Sequence, residues 1–468
     1  MPTHREPRPP RAVLPVVLLA VFAFAMLQSL LNPVLPALRQ ELGTTQQLIP
    51  WVMTAFLLST SVFTPVVGRL GDRYGKDRVL TASLIALATG SAICALAPNI
   101  AIMILGRAVQ GIGGGVIPLA YGIIRDELPR QRVPGAIGVG AALAAVGGGV
   151  GIVLAGPLTT ALGIRSLFWI PLLLTAGAAA AARLIVPPSP SRNPSPISWL
   201  AAVLLAGWLV ALLVPLSQGS RWGWTSAAVI TPLAGAAILA AAWVAVERRS
   251  GRPLIDMRMM RITAVWTTNL VSLLFGVGLF AVMTYLPVFV QTAPATGYGF
   301  GASATQAGLI LLPMTVAMFF AGLASARLTA RFGSRLVLVA ASALYTAGIT
   351  IIAIRHDHQW QVLVALALLG AALGTAFSTM SNIIVAAVRP DQTGVANGVT
   401  ANVRTIGGSI GVALMSGVIG AHTPAGGPSA ESGYTCGFAT LAVAGLAALA
   451  TTVLIARHHR LGRTPPAA

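Results

Sequence analysis

Charged side chains are scarce in this chain, and their densest group lies in the eleven residues GRLGDRYGKDR, which run from Gly68 to Arg78. Asp, Glu, Lys and Arg make up only 9% of the 468 residues, yet they fill more than half of this segment. The chemistry that this pattern offers is electrostatic, because Asp72 can pair with Arg73, with Arg78 or with the N-terminal end of a neighbouring helix. The segment is therefore a candidate for making and breaking contacts between helices.

Two long apolar runs, 49–67 and 79–97, flank this segment, and each is long enough to cross a bilayer as a helix. A mostly cationic hairpin between two membrane helices is held on the cytoplasmic face by its positive charge. Gly68, Gly71 and Gly75 permit backbone turns that other residues resist, so the sequence predicts a kinked loop. Charge alone leaves two interpretations open: a gating loop, or a loop that only fixes the orientation of the helices.

Two arginines, Arg107 and Arg404, fall inside predicted membrane spans, where a cationic side chain costs at least about 2.5 kcal/mol. Either side chain can extend toward a membrane surface, or it can bond to a neighbouring helix and hold two spans together. A functional role, such as holding an anionic substrate, stands beside this structural interpretation.

No acidic partner for these arginines is predicted near the middle of the membrane. The eleven acidic residues map to loops, tails or span ends, and the six histidines lie in tails and loops. The histidines and the two cysteines, Cys94 and Cys436, show no spacing that is typical of metal ligands. We therefore predict neither a metal site nor a cofactor.

The composition of the whole chain indicates a membrane protein. Hydrophobic residues make up 56% of the sequence, and the mean hydropathy is +0.82, which is rare among soluble proteins. A formal net charge of +19 is compatible with nucleic-acid binding, but most of the basic residues fall in segments that we predict to be cytoplasmic. This distribution is the positive-inside bias of a membrane protein, so we expect a lipid bilayer as partner and no nucleic acid.

The apolar runs predict an all-α integral membrane protein with fourteen spans, arranged as two six-helix bundles plus two inserted central helices. Basic segments at both ends of the chain place both termini in the cytoplasm, which requires an even number of spans. The predicted spans are 13–31, 49–67, 79–97, 101–123, 134–158, 167–186, 199–216, 227–246, 263–290, 304–325, 336–354, 361–388, 397–419 and 437–455. The predicted segments are a cytoplasmic N-terminal tail (1–12), an N-terminal six-helix bundle (13–186), a Pro/Ser linker (187–198), the inserted pair (199–246), a basic cytoplasmic loop (247–262), a C-terminal six-helix bundle (263–456) and a cytoplasmic tail (457–468).

An internal echo of the charged segment supports a duplicated architecture. The stretch ARLTARFGSR at 326–335 follows the tenth span, just as GRLGDRYGKDR follows the second. Asp72 aligns with Ala330, so the second copy has lost the acid. Paired halves with a binding site between them are the usual plan of secondary transporters. The matching pairs are Arg69 with Arg327, Leu70 with Leu328, Arg73 with Arg331 and Gly75 with Gly333.

The chain resembles the major facilitator superfamily and, within it, the fourteen-span drug:proton antiporters. The charged segment is similar to the signature loop between the second and third spans. The stretch ILGRAVQGIGGG at 104–115 resembles the fourth-span motif, with Arg107, Gln110 and Gly111 at the matching positions. The stretch GGGVGIVLAGP at 147–157 is similar to the glycine-rich antiporter motif of the fifth span. Further similar pieces are PWVMTAFLL (50–58), RPLIDMRMMR (252–261) and GVANGVTANVRTIGGSIGVAL (394–414).

The sequence departs from the family pattern at two positions. In the first span the family usually has an acid, and Leu27 stands at that position. In the fifth-span motif Ile152 replaces the proline expected beside the second glycine. The first departure bears on proton coupling, which normally needs a protonatable group that is reachable from both sides in turn.

The resemblance implies roles for particular residues of this sequence. Gly68, Asp72, Arg73, Gly75 and Arg78 would form a cytoplasmic gating loop. Arg107 and Gln110 would serve proton coupling or substrate binding. Gly147, Gly151, Gly156 and Pro157 would form the antiporter glycine motif, whose small residues also let helices pack closely. Candidates for the lining of a central cavity, each of which could equally form an interhelical hydrogen bond, are Gln28, Asn32, Asn269, Tyr285, Asn382, Asn402 and Arg404.

Three explanations for the missing acid remain open. An acid near a span end, Asp126 or Glu41, could carry the proton. Arg107 could hold an anionic substrate with polar neighbours such as Gln28 and Asn32. Alternatively, the protein could be an uncoupled facilitator, or an importer of a small metabolite.

On the resemblance, we expect a proton-coupled exporter of small hydrophobic or amphipathic compounds such as antibiotics. We expect it to work as a monomer in the cell membrane and to have no enzymatic activity. The pattern Gly407-x-Ser409-x-Gly411 matches a hydrolase nucleophile turn, but it lies inside an apolar helix with no strand before it, so we reject that interpretation.

Overall fold

The computed structural model describes residues 12–45, 48–49, 51–189, 198–250, 253, 255–389, 392–422 and 430–461. Most of the predicted N-terminal tail 1–12, most of the linker 187–198 and most of the tail 457–468 lie outside these ranges. The described residues form helices and no strands. In a hydrocarbon environment a backbone without water must satisfy its own hydrogen bonds, and an apolar helix does so within one segment.

Thirteen helical segments are long and apolar enough to cross a membrane, and Val13–Ser29 is a shorter apolar helix of 17 residues. Together they follow the order of the fourteen predicted spans, which confirms the all-α membrane architecture. The first helix ends early because a short 3-10 turn with a proline, Asn32–Val34, follows it.

The described chain divides into two compact units. The first unit comprises Met1–Leu209, Ile238–Met257 and Val388–Val399. The helices that lie wholly in it are α1 (Val13–Ser29), α2 (Leu35–Glu41), α3 (Trp51–Tyr74), α4 (Lys76–Ala95), α5 (Ile100–Gly111), α6 (Val116–Glu127), α7 (Val133–Leu162) and α8 (Ser166–Ile185), with a 3-10 turn, Ile112–Gly115, between α5 and α6.

The second unit comprises Val210–Ala237, Arg258–Ala387 and Thr400–Ala468. Four helices contribute residues to both units: α9 (Trp199–Trp222), α10 (Ala227–Arg249), α11 (Met257–Met260) and α17 (Thr393–Ala421). The remaining helices are α12 (Thr263–Gln291), α13 (Ala304–Ile310), α14 (Leu312–Phe332), α15 (Ser334–Ile354), α16 (Gln359–Ala387) and α18 (Glu431–Leu461), with a 3-10 turn, Pro294–Thr296, after α12.

The same helix pairs are in contact inside each unit. In the first unit α1 packs on α7, α3 on α5, and α4 on α8. In the second unit α14 packs on α16, α15 on α18, and glycines of α17 lie against α12. Counted along each predicted six-span half, the first helix meets the fifth, the second meets the fourth and the third meets the sixth. The internal echo of the sequence is therefore matched by the packing.

Pairs of glycines four residues apart allow these close approaches. A Cβ atom added to Gly147 of α7 would lie 2.5 Å from the carbonyl oxygen of Phe22 in α1, and one on Gly151 would lie 2.7 Å from that of Met26. Contacts this short leave no room for a side chain, so the two backbones touch directly. The second unit repeats the arrangement where Gly407 and Gly411 face the carbonyls of Leu273 and Val277, and where Gly370 and Gly374 face those of Met314 and Met318.

One glycine in each unit forms the whole connection between two long helices. Gly75 separates α3 from α4 with φ 104° and ψ 131°, and Gly333 separates α14 from α15 with φ 79° and ψ 149°. These dihedrals lie where a side chain is strongly disfavoured, so glycine is required at both points. The two aligned glycines of the echo thus have the same conformation.

Most helices extend beyond the predicted spans. The second span was predicted as 49–67, but α3 runs to Tyr74, and the fifth was predicted as 134–158, but α7 runs from Val133 to Leu162. Polar and charged residues end a hydrophobic run without ending a helix, because the helix continues into the headgroup region and water.

Replacing Gly151 by Ala tests the packing of α1 against α7. The added methyl would press on Met26 and Ser29, so we expect a loss of stability of about 1–3 kcal/mol, as for overpacked cores. Thermal unfolding of the purified protein in detergent measures it as a lower Tm. Gly148→Ala in the same helix is the matched control, because nothing lies within 4 Å of a Cβ there. Equal Tm values for the two variants would contradict this packing.

Candidate functional site

The charged segment at residues 68–78 is not the loop that the sequence predicted. Helix α3 continues through Gly68 and Gly71, and only Gly75 interrupts the helical backbone. The prediction was wrong because it ended each helix at the first charged residue, although a helix satisfies its own backbone wherever its side chains lie. The segment is therefore the rigid end of α3 joined by a single residue to α4.

The end of α3 touches the start of α17 within the first unit. A Cβ atom on Gly68 would lie 3.2 Å from both the carbonyl carbon and the carbonyl oxygen of Gly394. Asp72, one turn later, is 3% exposed, and its Oδ1 lies 3.7 Å from the position of a Cβ on Gly394. Because α17 begins at Thr393, this carboxylate lies at the positive end of a helix, one of the partners predicted for it.

Arg125, near the end of α6, also bonds to this part of the chain. Its guanidinium donates to the hydroxyl of Thr393 and to the carbonyl oxygen of Val388, the latter at 3.3 Å. The amide of Gln392 donates to the carboxylate of Asp256 at 3.3 Å. Sequence reasoning missed Arg125, because its partners Thr393 and Val388 lie 268 and 263 residues away along the chain.

A buried ion pair lies beside the motif. The ammonium of Lys76 lies 2.6 Å from the carboxylate of Asp126, and the two side chains are 1% and 8% exposed. The hydroxyl of Ser189 accepts from the Lys76 backbone N–H at 2.8 Å, while the Ser189 N–H donates to Asp77 at 3.1 Å. Ser189, in the segment that follows α8, is thereby hydrogen-bonded to the first residues of α4. Lys76 was not among the predicted site residues, because its charge could be explained by its effect on the orientation of the helices in the membrane.

The other predicted members of the gating motif have different surroundings. The guanidinium of Arg73 lies 4.9 Å from the ring centroid of Tyr74, and Arg78 is exposed. Within the motif, the residues that the structure places against α17 are thus Gly68 and Asp72, while Gly75 sets the turn.

Arg107 is fully enclosed and bonded to protein groups. It is 1% exposed; its Nε donates to the carbonyl oxygen of Val52 at 3.1 Å and its Nη1 to Oε1 of Gln110 at 2.7 Å. Its guanidinium also lies 4.2 Å from the ring centroid of Phe56. The Gln110 amide in turn donates to the hydroxyl of Ser91 at 2.8 Å. The network joins α3, α4 and α5, which is the interhelical arrangement that the sequence left as one alternative.

The four residues of the antiporter glycine motif fall into two groups. Gly147 and Gly151 pack directly on the backbone of α1, as described above. The carbonyl of Gly156 accepts from the hydroxyl of Thr160 at 2.9 Å, and Pro157 is exposed within α7. Close packing is thus observed for the first pair.

In the first unit the predicted cavity residues lie on and just after α1. Gln28 is half-buried near the end of α1, and Asn32 begins the 3-10 turn that follows it. In this unit Leu27, which stands where the family usually has an acid, is buried among apolar neighbours.

In the second unit the predicted cavity residues are dispersed over α12, α16 and α17. Asn269 is 8% exposed and accepts from the Thr400 hydroxyl at 2.7 Å, so it ties α12 to α17. The guanidinium of Arg404 lies 4.4 Å from the ring centroid of Phe377. The hydroxyl of Tyr285 donates to the carbonyl of Val412 at 3.5 Å, Asn382 is half-buried, and Asn402 is 7% exposed.

Two cavities of the second unit contain none of these predicted residues. One, of about 420 Å³, is mainly apolar and lies between α13, α14 and α16. The other, of about 190 Å³, lies at the starts of α12 and α15 and includes Arg335 and Thr268.

The positions of the acids agree with the sequence-based prediction for the described ranges. Each described acid lies in the first or last turn of a helix or between helices. In the same ranges no three His, Cys, Asp or Glu side chains come close enough to hold a metal ion. The described acids are Glu41, Asp72, Asp77, Asp126, Glu127, Glu247, Asp256, Asp357 and Glu431.

Comparison with known proteins gives the family. A model of the Major Facilitator Superfamily matches residues 17–412 and 292–468. An uncharacterized MFS-type transporter of Mycobacterium tuberculosis is 30% identical over 401 residues, which are 83% of this chain and 56% of the relative. The chain thus spans little more than half the length of that relative.

Two further relatives have names that refer to drugs or an antibiotic. A "Multidrug resistance protein B homolog" of Mycobacterium tuberculosis is 30% identical over 390 residues, covering 80% of this chain and 70% of the relative. A "Probable actinorhodin transporter" of Streptomyces coelicolor is 28% identical over 453 residues, covering 93% and 77%.

Among solved structures, the human organic anion transporter MFSD10 (TETRAN) matches with a TM-score of 0.69 at 20% identity. The match covers 96% of this chain and all of that one, which establishes a shared fold. The family model covers most of the chain, and two of the relatives described above are named as transporters. This chain is therefore a multi-pass membrane protein of the Major Facilitator Superfamily, whose members are transporters and not enzymes.

Proposed function

We propose that this protein exports small hydrophobic or amphipathic compounds, such as drugs or antibiotics, in exchange for protons by alternating access. It would act as a monomer in the cell membrane, with both termini in the cytoplasm and without a cofactor. Two six-helix bundles, 13–186 and 263–456, would flank the inserted pair 199–246. The substrate class is supported by the names of the multidrug and actinorhodin relatives, which belong to those proteins.

The observation that carries the proposal is the contact between the end of α3 and the first turn of α17. It combines a backbone approach at Gly68 and Gly394 with the buried carboxylate of Asp72 and the bonds from Arg125. A contact without intervening side chains is made or broken as a whole. It is therefore suited to a latch that distinguishes two states of a transporter.

The orientation of the chain would place this latch on the cytoplasmic side. Basic residues cluster at the ends of helices next to the latch, as in the segment around Arg73 and the loop between α10 and α12. Positively charged segments stay in the cytoplasm. A closed latch would then correspond to a cavity that opens outward, as an exporter requires when it releases substrate.

The candidates for carrying the proton differ in their surroundings. Asp126 is paired with Lys76 in a buried site, whereas Glu41 forms an ion pair with Arg165 on the surface. The donors of Arg107 are directed at protein acceptors, which weakens the interpretation of Arg107 as a ligand for an anionic substrate. A role of Arg107 in proton coupling would instead act through its bonds, which hold three helices in register.

One observation favours the alternative of an uncoupled facilitator or an importer of a small, possibly anionic, metabolite. No acid lies in the middle of a long helix in the described part of the chain. Proton exchange would then have to use groups at the helix ends, and a transporter without coupling would need none.

Replacing Asp72 by Asn tests the latch. The amide keeps the shape but removes the charge at the start of α17, so we expect transport to fall at least about tenfold while insertion is unchanged. Efflux of a fluorescent dye from cells, normalised to the amount of protein in the membrane, measures the loss. Asp77→Asn is the control, since its amide oxygen can still accept from Ser189. Full transport by the Asp72 variant would refute the latch.

Dye uptake into inverted membrane vesicles, with and without an imposed pH gradient, tests the proposed coupling, because an exporter carries dye into such vesicles. We expect the gradient to accelerate transport by the wild-type protein. Arg107→Ala removes bonds to Val52 and Gln110, and we expect it to abolish the gradient effect while downhill movement of dye persists. If the pH gradient does not change the rate of dye transport by the wild-type protein, the result would indicate a facilitator. A variant with unchanged gradient dependence would exclude Arg107 from coupling.

A further inference from the structure

An aromatic cluster in the second unit encloses a histidine. The ring of His356, in the turn after α15, lies 5.2 Å from that of Phe289 in an edge-to-face arrangement. Tyr298 and Tyr434 pack on the same phenylalanine at 5.4 Å each. His356 itself is 8% exposed. A polar ring buried among aromatic groups needs hydrogen-bond partners for both of its nitrogens.

Both ring nitrogens of His356 have oxygen partners. Nδ1 lies 2.8 Å from the carbonyl oxygen of Ile352, one turn back in α15. Nε2 lies 3.0 Å from Oε1 of Glu431, the first residue of α18. The Glu431 side chain is 44% exposed, so water reaches the carboxylate from outside the cluster.

The identity of these oxygens determines how many protons the pair holds. A carbonyl oxygen can only accept, so Nδ1 must carry a hydrogen. With Nδ1 protonated, a neutral ring would direct the lone pair of Nε2 at the carboxylate oxygen, and two acceptors would repel each other. The contact with Glu431 therefore requires one additional proton, which gives an imidazolium paired with a carboxylate.

We propose that His356 and Glu431 form a proton-binding site at the outer end of the second unit. A proton from water on that side adds to Nε2, and the new N–H donates to Glu431. Loss of the proton breaks this bond and leaves the carboxylate to water. The placement on the outer side follows from the proposed orientation, and a role in exchange rests on the proposed function.

The bond joins the end of α15 to the start of α18 against the end of α12. The protonated site thus holds three helix ends together, and the neutral site releases one of them. The other titratable or charged groups on the surrounding elements are Arg355, Asp357 and His358, which are exposed, Tyr298 and Tyr434 within the cluster, and His422 near the end of α17.

This site gives the outer surface a group whose charge responds to the proton gradient. Sequence reasoning placed His356 in a loop and gave it no role; its partner lies 75 residues away along the chain, which no local pattern reveals. The site is confined to helix ends, so it would govern when the outer ends of these helices are locked together rather than carry the proton through the membrane.

The binding of the proton can be measured without transport. In protein with ¹⁵N-labelled histidine in lipid nanodiscs, His356→Gln identifies the His356 signals, and the ¹⁵N shifts report which nitrogen is protonated. We expect Nδ1 to stay protonated from pH 5 to 8 while Nε2 gains its proton as the pH falls. In Glu431→Gln the amide can donate to a neutral ring, so the ratio of protonated to neutral ring at pH 7 should fall about tenfold.

His358→Gln, two residues away in an exposed position, is the matched control and should leave the His356 signals unchanged. An unchanged ratio in Glu431→Gln, or an unprotonated Nδ1, would overturn the proton site. Either result is independent of transport and of variant activity.

Dye efflux from preloaded cells at outer pH 6 and 8, at a fixed inner pH and with the membrane potential collapsed, tests the role in exchange. We expect wild type and His358→Gln to respond to outer pH, and His356→Gln and Glu431→Gln to lose most of that response. A wild-type protein without any response would refute the proposed coupling while the NMR result still decides the proton site. A full response in both variants would show that the site has no role in exchange.

Discussion

The absence of water in the membrane interior is the constraint on which the rest of this structure depends. It forces the backbone into helices that satisfy their own hydrogen bonds, and it removes the hydrophobic effect as a force between those helices. Close packing must then hold them together, and glycine provides it by letting one backbone lie on the carbonyls of another. The pairs at Gly147 and Gly151, and at Gly407 and Gly411, show the same solution in each unit. The contact of Gly68 with Gly394 is a third use of it, placed at a charged helix end.

The two units share their packing but differ in their polar groups. Both connect two long helices through one glycine in the left-handed region, Gly75 and Gly333. Only the first copy has an acid at the position of Asp72, and Ala330 occupies it in the second. The first unit buries the ion pair of Lys76 with Asp126, whereas the second has the pair of His356 with Glu431. Duplication therefore gives the common scaffold, and the two units differ in the charged pairs at their helix ends.

Hydropathy was sufficient to predict the order of the apolar helices, since a bilayer imposes length and polarity on every segment; thirteen of them are long enough to span it and Val13–Ser29 is shorter. The same reasoning ended helices too early, as at Gly68, because charge marks the membrane surface and not the end of a helix. The family resemblance identified Asp72 and Arg107 as candidate residues, and the structure shows both buried. The resemblance could not reveal Arg125 or Lys76, because their partners are distant in sequence. Gly407 and Gly411 were considered only as part of a hydrolase motif, and their packing against α12 was not predicted. Pairwise contacts across long separations depend on the folded register, which no local pattern contains.

In the proposed mechanism, the contact between α3 and the start of α17 opens during each transport cycle. A Cβ on Gly398 would lie 3.2 Å from the Cγ2 of Thr64, so cysteines at these two positions are close enough for a disulfide. The most direct measurement is dye efflux by the double variant Thr64→Cys and Gly398→Cys, with the exposed Cys436 replaced by Ser, before and after oxidation. We expect oxidation to stop efflux and a reductant to restore it, while efflux by either single-cysteine variant is unchanged by both treatments. Full efflux by the cross-linked protein would contradict the proposed mechanism.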